Sequence, residues 1–175
     1  LNSKGKPSGN RFVNKKVPYE RVFGMYSQQD EVYRSLVVPV VEEAIAGFNT
    51  TIFAYGCTGT GKTYTMEGEI TSVDKKGIIM RTMETLLEEL PKVTPDFNIK
   101  VSYMEIYNER IFDLLTDLSN PDNAKDFTIA EEKDGRGTFV RGLTEVEVKD
   151  ENEALNLLFR GELSRTTAQH KLNRK

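Results

Sequence analysis

Gly56-Cys57-Thr58-Gly59-Thr60-Gly61-Lys62-Thr63 satisfies the pattern Gly-x-x-x-x-Gly-Lys-[Ser/Thr] at every fixed position. Each residue type has a chemical reason. Glycine lets the backbone come close to a phosphate and take dihedrals that a Cβ would forbid. Successive N–H groups then form an anion cradle at a helix N-terminus. Lys62 supplies a cation for β- and γ-phosphates, and the Thr63 hydroxyl can ligate Mg²⁺. The bland alternative is a chance Gly/Thr-rich turn, and the flanking residues argue against it. Thr51-Ile52-Phe53-Ala54-Tyr55, apolar and β-branched, reads as a buried strand running into Gly56. Lys62 to Met66 can open a helix. Strand, loop and helix in that order are the context a phosphate-binding loop requires, so the chain is expected to bind a nucleotide.

On the N-terminal side of this unit, Val32, Tyr33, Leu36, Val37, Val40, Val41, Ala44 and Ile45 recur at helical spacing. Pro39 falls inside that stripe and predicts a bend or a second helix start. Val17 to Phe23 reads as a strand or packed loop, and residues 1–16 as a polar arm. On the C-terminal side, the polar segment Glu67 to Gly77 interrupts the helix after the loop. A helical face then resumes at Ile79, Met83, Leu86, Leu87 and Leu90 and is predicted to stop at Pro91. Ile99 to Tyr107 alternates as one strand covered on both faces. Ile111, Leu114 and Leu115 form a short apolar turn before an Asn/Asp/Pro loop. Phe127 to Val148 reads as a hairpin with a polar tip, and Asp150 with Glu153 as the cap of a helix carrying Ala154, Leu155, Leu158 and Phe159. Alternating strands and helices favour an α/β layered fold.

The composition narrows the classes. The chain has 175 residues, 24 Lys+Arg against 27 Asp+Glu, one Cys and one His. A single cysteine forbids an internal disulfide, and a structural zinc site needs more ligands than these, so a reducing, intracellular setting is expected. A net charge of −3 gives no nucleic-acid footprint. No apolar run approaches the ~18 residues of a membrane span. The basic, Gly/Asn/Ser-rich stretch Leu1 to Lys16 lacks the apolar core of a secretory signal. The first residue is not Met, so the chain is expected either to begin inside a longer parent or to have lost the residues before it.

The machinery for cleaving a nucleotide is incomplete on this reading. A hydrolysing enzyme of this kind needs a second acid at the end of an apolar strand to hold Mg²⁺. Asp113 follows only Ile111 and Phe112, and Asp150 follows a half-polar strand. No residue stands out for positioning water.

The ordered set of segments resembles the kinesin motor domain. It comprises Gly47-Phe48-Asn49-Thr50 leading into the strand and loop, Tyr64-Thr65-Met66-Glu67-Gly68, Gly77-Ile78-Ile79 with Arg81, Val101-Ser102-Tyr103-Met104-Glu105-Ile106-Tyr107-Asn108-Glu109, and Asp113-Leu114-Leu115. Gly142-Leu143, Arg165-Thr166-Thr167-Ala168 and Asn173 continue it, and Tyr19 to Phe23 and Gln29 to Tyr33 fit upstream. The resemblance implies a P-loop NTPase-type three-layer α/β/α fold with a central, mostly parallel sheet, here incomplete. It implies one partial motor domain over 1–175, with residues 17–175 as the nucleotide-binding core. It also implies an ATPase that moves along microtubules, with ATP or ADP and Mg²⁺ as cofactors and a cytoplasmic, cytoskeletal location. Gly56, Cys57, Thr58, Gly59, Thr60, Gly61, Lys62 and Thr63 would hold the phosphates, Thr63 the metal, and Tyr64 the adenine.

Some features depart from the family pattern. Cys57 stands in place of the usual Gln, in a position expected to be buried and inert, and Met80 in place of a Pro. Tyr33-Arg34-Ser35 and Thr51 to Gly56 look like the spindle kinesins, whereas the short Glu67–Gly77 segment does not. Asn173 would begin the first switch, whose serine-rich part should follow Lys175. The 175-residue piece alone is therefore expected neither to be an independently stable ATPase nor to hydrolyse ATP, and a non-catalytic nucleotide- or microtubule-binding module stays open as the alternative. Lys133, Arg136 and Arg141 match a hairpin through which kinesins touch tubulin, an acidic partner. Nucleic acid is not an expected partner.

Overall fold

The computed structural model describes residues 16–69, 72–116, 127–133, 135 and 137–172, the stretch 166–172 by its backbone path alone. The apolar stripe before the phosphate loop is helical throughout, and it accommodates Pro39 by a change of winding, not by a gap. Helix α1 (Gln29–Val32) passes into a π-helical turn, Tyr33–Val37, and then into α2 (Val38–Ile45), which carries Pro39 in its first turn. A proline there lacks only an N–H that needs no partner, and the widened turn before it relieves its ring of the preceding carbonyl. Helix α3 (Lys62–Met66) is short, and α4 (Ile78–Val93) is long. Tyr33, Val37, Val41 and Ile78 form one core, with Ile45, Ile52, Met66 and Leu86 packed on it. The Tyr33 hydroxyl is paired inside it, donating to the Arg81 carbonyl at 3.0 Å and meeting Thr85 Oγ1 at 2.7 Å.

Between α3 and α4 the segment 68–77 closes on itself. Gly68 (φ +75°) bridges Lys76, and a Cβ at Gly68 would stand 2.1 Å from the Lys75 carbonyl oxygen. A Cβ at Gly77 would stand 2.5 Å from the Met66 carbonyl oxygen, so neither position admits a side chain. Helix α4 runs through Pro91 to Val93 instead of stopping before it, because only its last turn lies beyond the proline.

Three antiparallel pairs make up the described strands. Strand β1 (Ile99–Val101) pairs with β6 (Val146–Val148), Ile99 opposite Val148. Strands β2 (Met104–Tyr107) and β3 (Arg110–Asp113) form a hairpin turned by Asn108 and Glu109, both at positive φ (48° and 60°), as a two-residue hairpin requires. Strands β4 (Thr128–Glu131) and β5 (Thr138–Arg141) form the hairpin expected within 127–148. Helix α5 (Glu151–Leu172) follows. The Asp150 carboxylate accepts from the Glu153 N–H at 2.9 Å, and Glu153 reaches back to the Lys149 N–H at 2.8 Å, so the predicted cap is formed. A second core joins Leu115, Val148, Ala154 and Leu157, with Met83, Ile99 and Val101 against it.

The α/β alternation stands as read, and four expectations change. Ile99–Tyr107 is two strands that part at Ser102-Tyr103, and β2 is not covered on both faces: Ile106 is 60% exposed. Thr51–Tyr55 forms no strand, and Phe53 is 81% and Tyr55 94% exposed. A buried strand needs partners on its edges and layers on its faces, and only Ile52 finds one among the described residues. All the described pairings are antiparallel, and the parallel centre expected of the sheet is not among them. Val17, Tyr19 and Val22 are exposed and form neither a strand nor a packed loop. On α5 the buried face is Ala154, Leu157 and Leu158, while Phe159 faces solvent.

Asp113 is buried at the end of β3, and its two oxygens accept from the Leu115 N–H at 2.9 Å and the Thr144 N–H at 2.7 Å. Asp113→Ala strands both donors and should lower the stability of the intact protein by about 2–3 kcal/mol, read from denaturant midpoints. A loss below ~0.5 kcal/mol, the range of an ordinary surface substitution, would show that the carboxylate does not hold these two loops together.

Candidate nucleotide site

The loop from Gly56 to Gly61 is wound tightly against its own beginning. Thr60 Oγ1 donates to the Cys57 carbonyl at 2.8 Å, and a Cβ on Gly56 would fall 2.7 Å from that hydroxyl. Gly59 and Gly61 sit at φ +82° and +92°, the left-handed region that L side chains avoid, and a Cβ on either would point into open space. Gly61 is the N-cap of α3, with no side-chain cap supplied. The first N–H groups of a helix have no intrahelical partner, so the loop delivers backbone donors and the positive end of a helix to one place.

Lys62 curls back over this loop, donating from Nζ to the carbonyls of Gly56 at 3.0 Å and Cys57 at 2.7 Å. Thr63 is exposed in the first turn of α3. Tyr64 is 47% exposed and so not a core residue, and its carbonyl accepts from the buried amide of Gln29 at 2.6 Å. Cys57 is exposed, not buried as expected, because it lies on the open outer curve of the loop. Donor N–H groups, an ammonium and a hydroxyl are the groups a Mg²⁺-polyphosphate needs, so the residues present fit one.

Behind α3 lies a polar cluster. The Tyr103 hydroxyl donates to Glu162 Oε1 at 2.6 Å and lies 3.4 Å from Glu67 Oε1. Arg165 reaches Glu162 at 2.5 Å and Glu67 at 3.6 Å. Burial, and next the charge of Glu162, hold the Glu67 carboxyl above the usual carboxylate range. Burial and the bond to Glu162 push the Tyr103 phenol well above its ordinary value. Tyr103, in the stretch expected to be covered on both faces, is therefore a half-buried hydrogen-bonding group.

The loop residues 56–63 and Tyr64 are consecutive, running from the loop into the first turns of α3. Asp113 and Asp150, the acids weighed for metal binding, are both committed to backbone N–H groups. Lys133 and Arg141 are exposed but do not form one tip: Arg141 stands opposite Thr128 at the base of the hairpin, about 10 Å along the strands from its turn. Arg136 and Asn173 lie outside the described residues. Sequence reasoning missed Gln29, Glu67 and Arg165 as supports of the loop helix. They are ordinary polar residues in sequence, and only the chain's path brings them to it. No described helix is long and apolar enough to cross a membrane.

The family model described as "Kinesin motor domain" matches residues 2–175. Kinesin-like protein KIF11-A of Xenopus laevis is 42% identical over 164 residues, which cover 89% of this chain and 15% of that protein. Kinesin-like protein KIN-5C of Arabidopsis thaliana is 40% identical over 185 residues, covering 94% and 18% respectively. Among solved structures, that of a fast kinesin superposes with a TM-score of 0.81 at 37% identity, over 90% of this chain and 44% of the other. The chain thus spans about 15% of the length of the first of these relatives. With the loop geometry and the motif order in agreement, the chain belongs to the kinesin motor domain family.

Proposed function

We propose that this chain is the nucleotide-binding portion of a microtubule-dependent motor ATPase, binding ATP or ADP with Mg²⁺. The observation that carries the reading is the loop itself: two left-handed glycines and a returning lysine at the start of a helix, in a chain of this family. The N–H groups of residues 56–63 hold the phosphates. Lys62 exchanges two neutral carbonyl partners for anionic oxygens, which makes stronger, charge-assisted bonds. Thr63 ligates Mg²⁺, which when bound neutralises charge on the phosphates. Tyr64, with its ring half exposed beside the loop, packs against adenine.

Hydrolysis and movement are read as activities of the intact motor, of which this chain spans a part. The partner is the acidic surface of tubulin, approached by Lys133 at the hairpin tip with Arg136 and Arg141. This places the protein on microtubules in the cytoplasm. ATPase activity of the intact protein with and without microtubules tests the reading. A rise of more than ~10-fold with microtubules supports it, whereas nucleotide binding without turnover would make the protein a holding module.

Lys62→Ala should weaken binding of a fluorescent ADP analogue by about 100-fold, the worth of a lost charge-assisted contact of ~3 kcal/mol. Thr63→Ala should weaken it in Mg²⁺ and leave it unchanged in EDTA. Cys57→Ala should shift affinity by less than ~3-fold, because the backbone and not the thiol faces the anion. A large loss at Cys57 would show that its side chain enters the site.

A further inference from the structure

Helix α3 carries the two side chains assigned to phosphate and metal, yet it buries none of its residues. Its placement cannot come from packing alone. Met66 touches the first core at one side, and the Gln29 amide holds the Tyr64 carbonyl. At the helix's C-terminal end the backbone is tied by the Gly77 N–H, which donates to the Glu67 carbonyl at 3.0 Å, and Glu67 adds a side-chain tie; its own N–H donates to the Thr63 carbonyl at 2.8 Å. The Glu67 carboxylate, 12% exposed, turns away from the nucleotide loop and toward Arg165 of α5. A neighbouring carboxylate, Glu162, orients the guanidinium at 2.5 Å. The Tyr103 ring closes the cluster against α5 where Gly161 leaves it room, since a Cβ there would be 2.1 Å from Cδ1. Ion pairs on the open surface, such as Lys92 with Glu88, contribute little. This one is sheltered, joins two elements far apart in sequence and has both its carboxylates engaged.

We propose that Arg165 is a positioning residue for the nucleotide site: through Glu67 it fixes the C-terminal end of α3, and thereby the direction in which Lys62 and Thr63 face the phosphates. This rests on the nucleotide reading above. Arg165 touches neither phosphate nor metal; it acts through the helix that does. The tie is reciprocal by linkage, so a nucleotide that orders α3 also steadies α5 around Arg165.

The test uses the intact protein with a fluorescent ADP analogue and Mg²⁺. Arg165→Ala should weaken binding about 10-fold, and Arg165→Lys should restore most of it. Tyr103→Phe, which keeps the ring against Gly161, should cost about 2–3-fold. Arg165→Ala combined with Glu67→Ala should be no worse than the more damaging single change, as expected for one shared contact. Amide exchange supplies a readout that a purely stabilising role would not move. Nucleotide should slow exchange in α5 of the unaltered protein and fail to do so in Arg165→Ala. If Arg165→Ala does not fold, Arg165→Gln takes its place, with the same loss of about 10-fold expected. Unchanged affinity in the folded alanine or glutamine variant, or α5 protection that survives it, overturns the proposal and leaves the nucleotide reading standing. Absence of binding by the unaltered protein overturns both.

Discussion

The end of α3 and the start of α4 are held together by two glycines that leave no room for a side chain. Gly68 presses on the carbonyl of Lys75, and Gly77 on that of Met66, at distances only a missing Cβ allows. That crossing returns the chain so that α4 begins beside α3, and it seats Met66 on the core that α2 and α4 share. It also brings Lys76 to Glu84 of α4 and to Glu151 at the start of α5, the second at 2.5 Å. The phosphate loop thus inherits its position from a backbone contact and a few polar ties, because its own helix is too short to bury a face.

Polar groups inside the two cores do work that apolar packing could not do alone. Tyr33 places a hydroxyl among Val37, Val41 and Ile78 and satisfies it on α4, which fixes the rotation of the two helices about one another. Asp113 joins the ends of two loops, and Arg81 spans from Asp30 to the carbonyls of Asp74 and Lys76. A buried polar atom without a partner is costly, so each such group admits few alternative arrangements of the backbone around it. Apolar contacts supply most of the stability, and these bonds choose the register.

What could be read from the sequence was what depends on nearest neighbours. The loop glycines, the Asp150–Glu153 cap, the helical stripe around Pro39 and a hairpin inside 127–148 are local, and each is formed, although the last part of that stretch, Val146–Val148, pairs with β1 instead. What could not be read depends on which elements meet. Ile106 and Phe53 look like core residues in a linear pattern, because alternation says which face would be covered but not whether anything covers it. The supports of the site were hidden for the same reason. Gln29 lies 35 residues from Tyr64 and Tyr103 lies 59 from Glu162, separations over which no periodicity speaks.

The run Thr51–Tyr55 makes no described ladder and turns two large aromatic rings to water. Its residues are β-branched, apolar or aromatic, with no charge among them. The stretch that delivers the chain to its phosphate loop therefore carries apolar surface that no described residue covers, so whatever layer comes to lie on Phe53 and Tyr55 also bears on the loop they lead into.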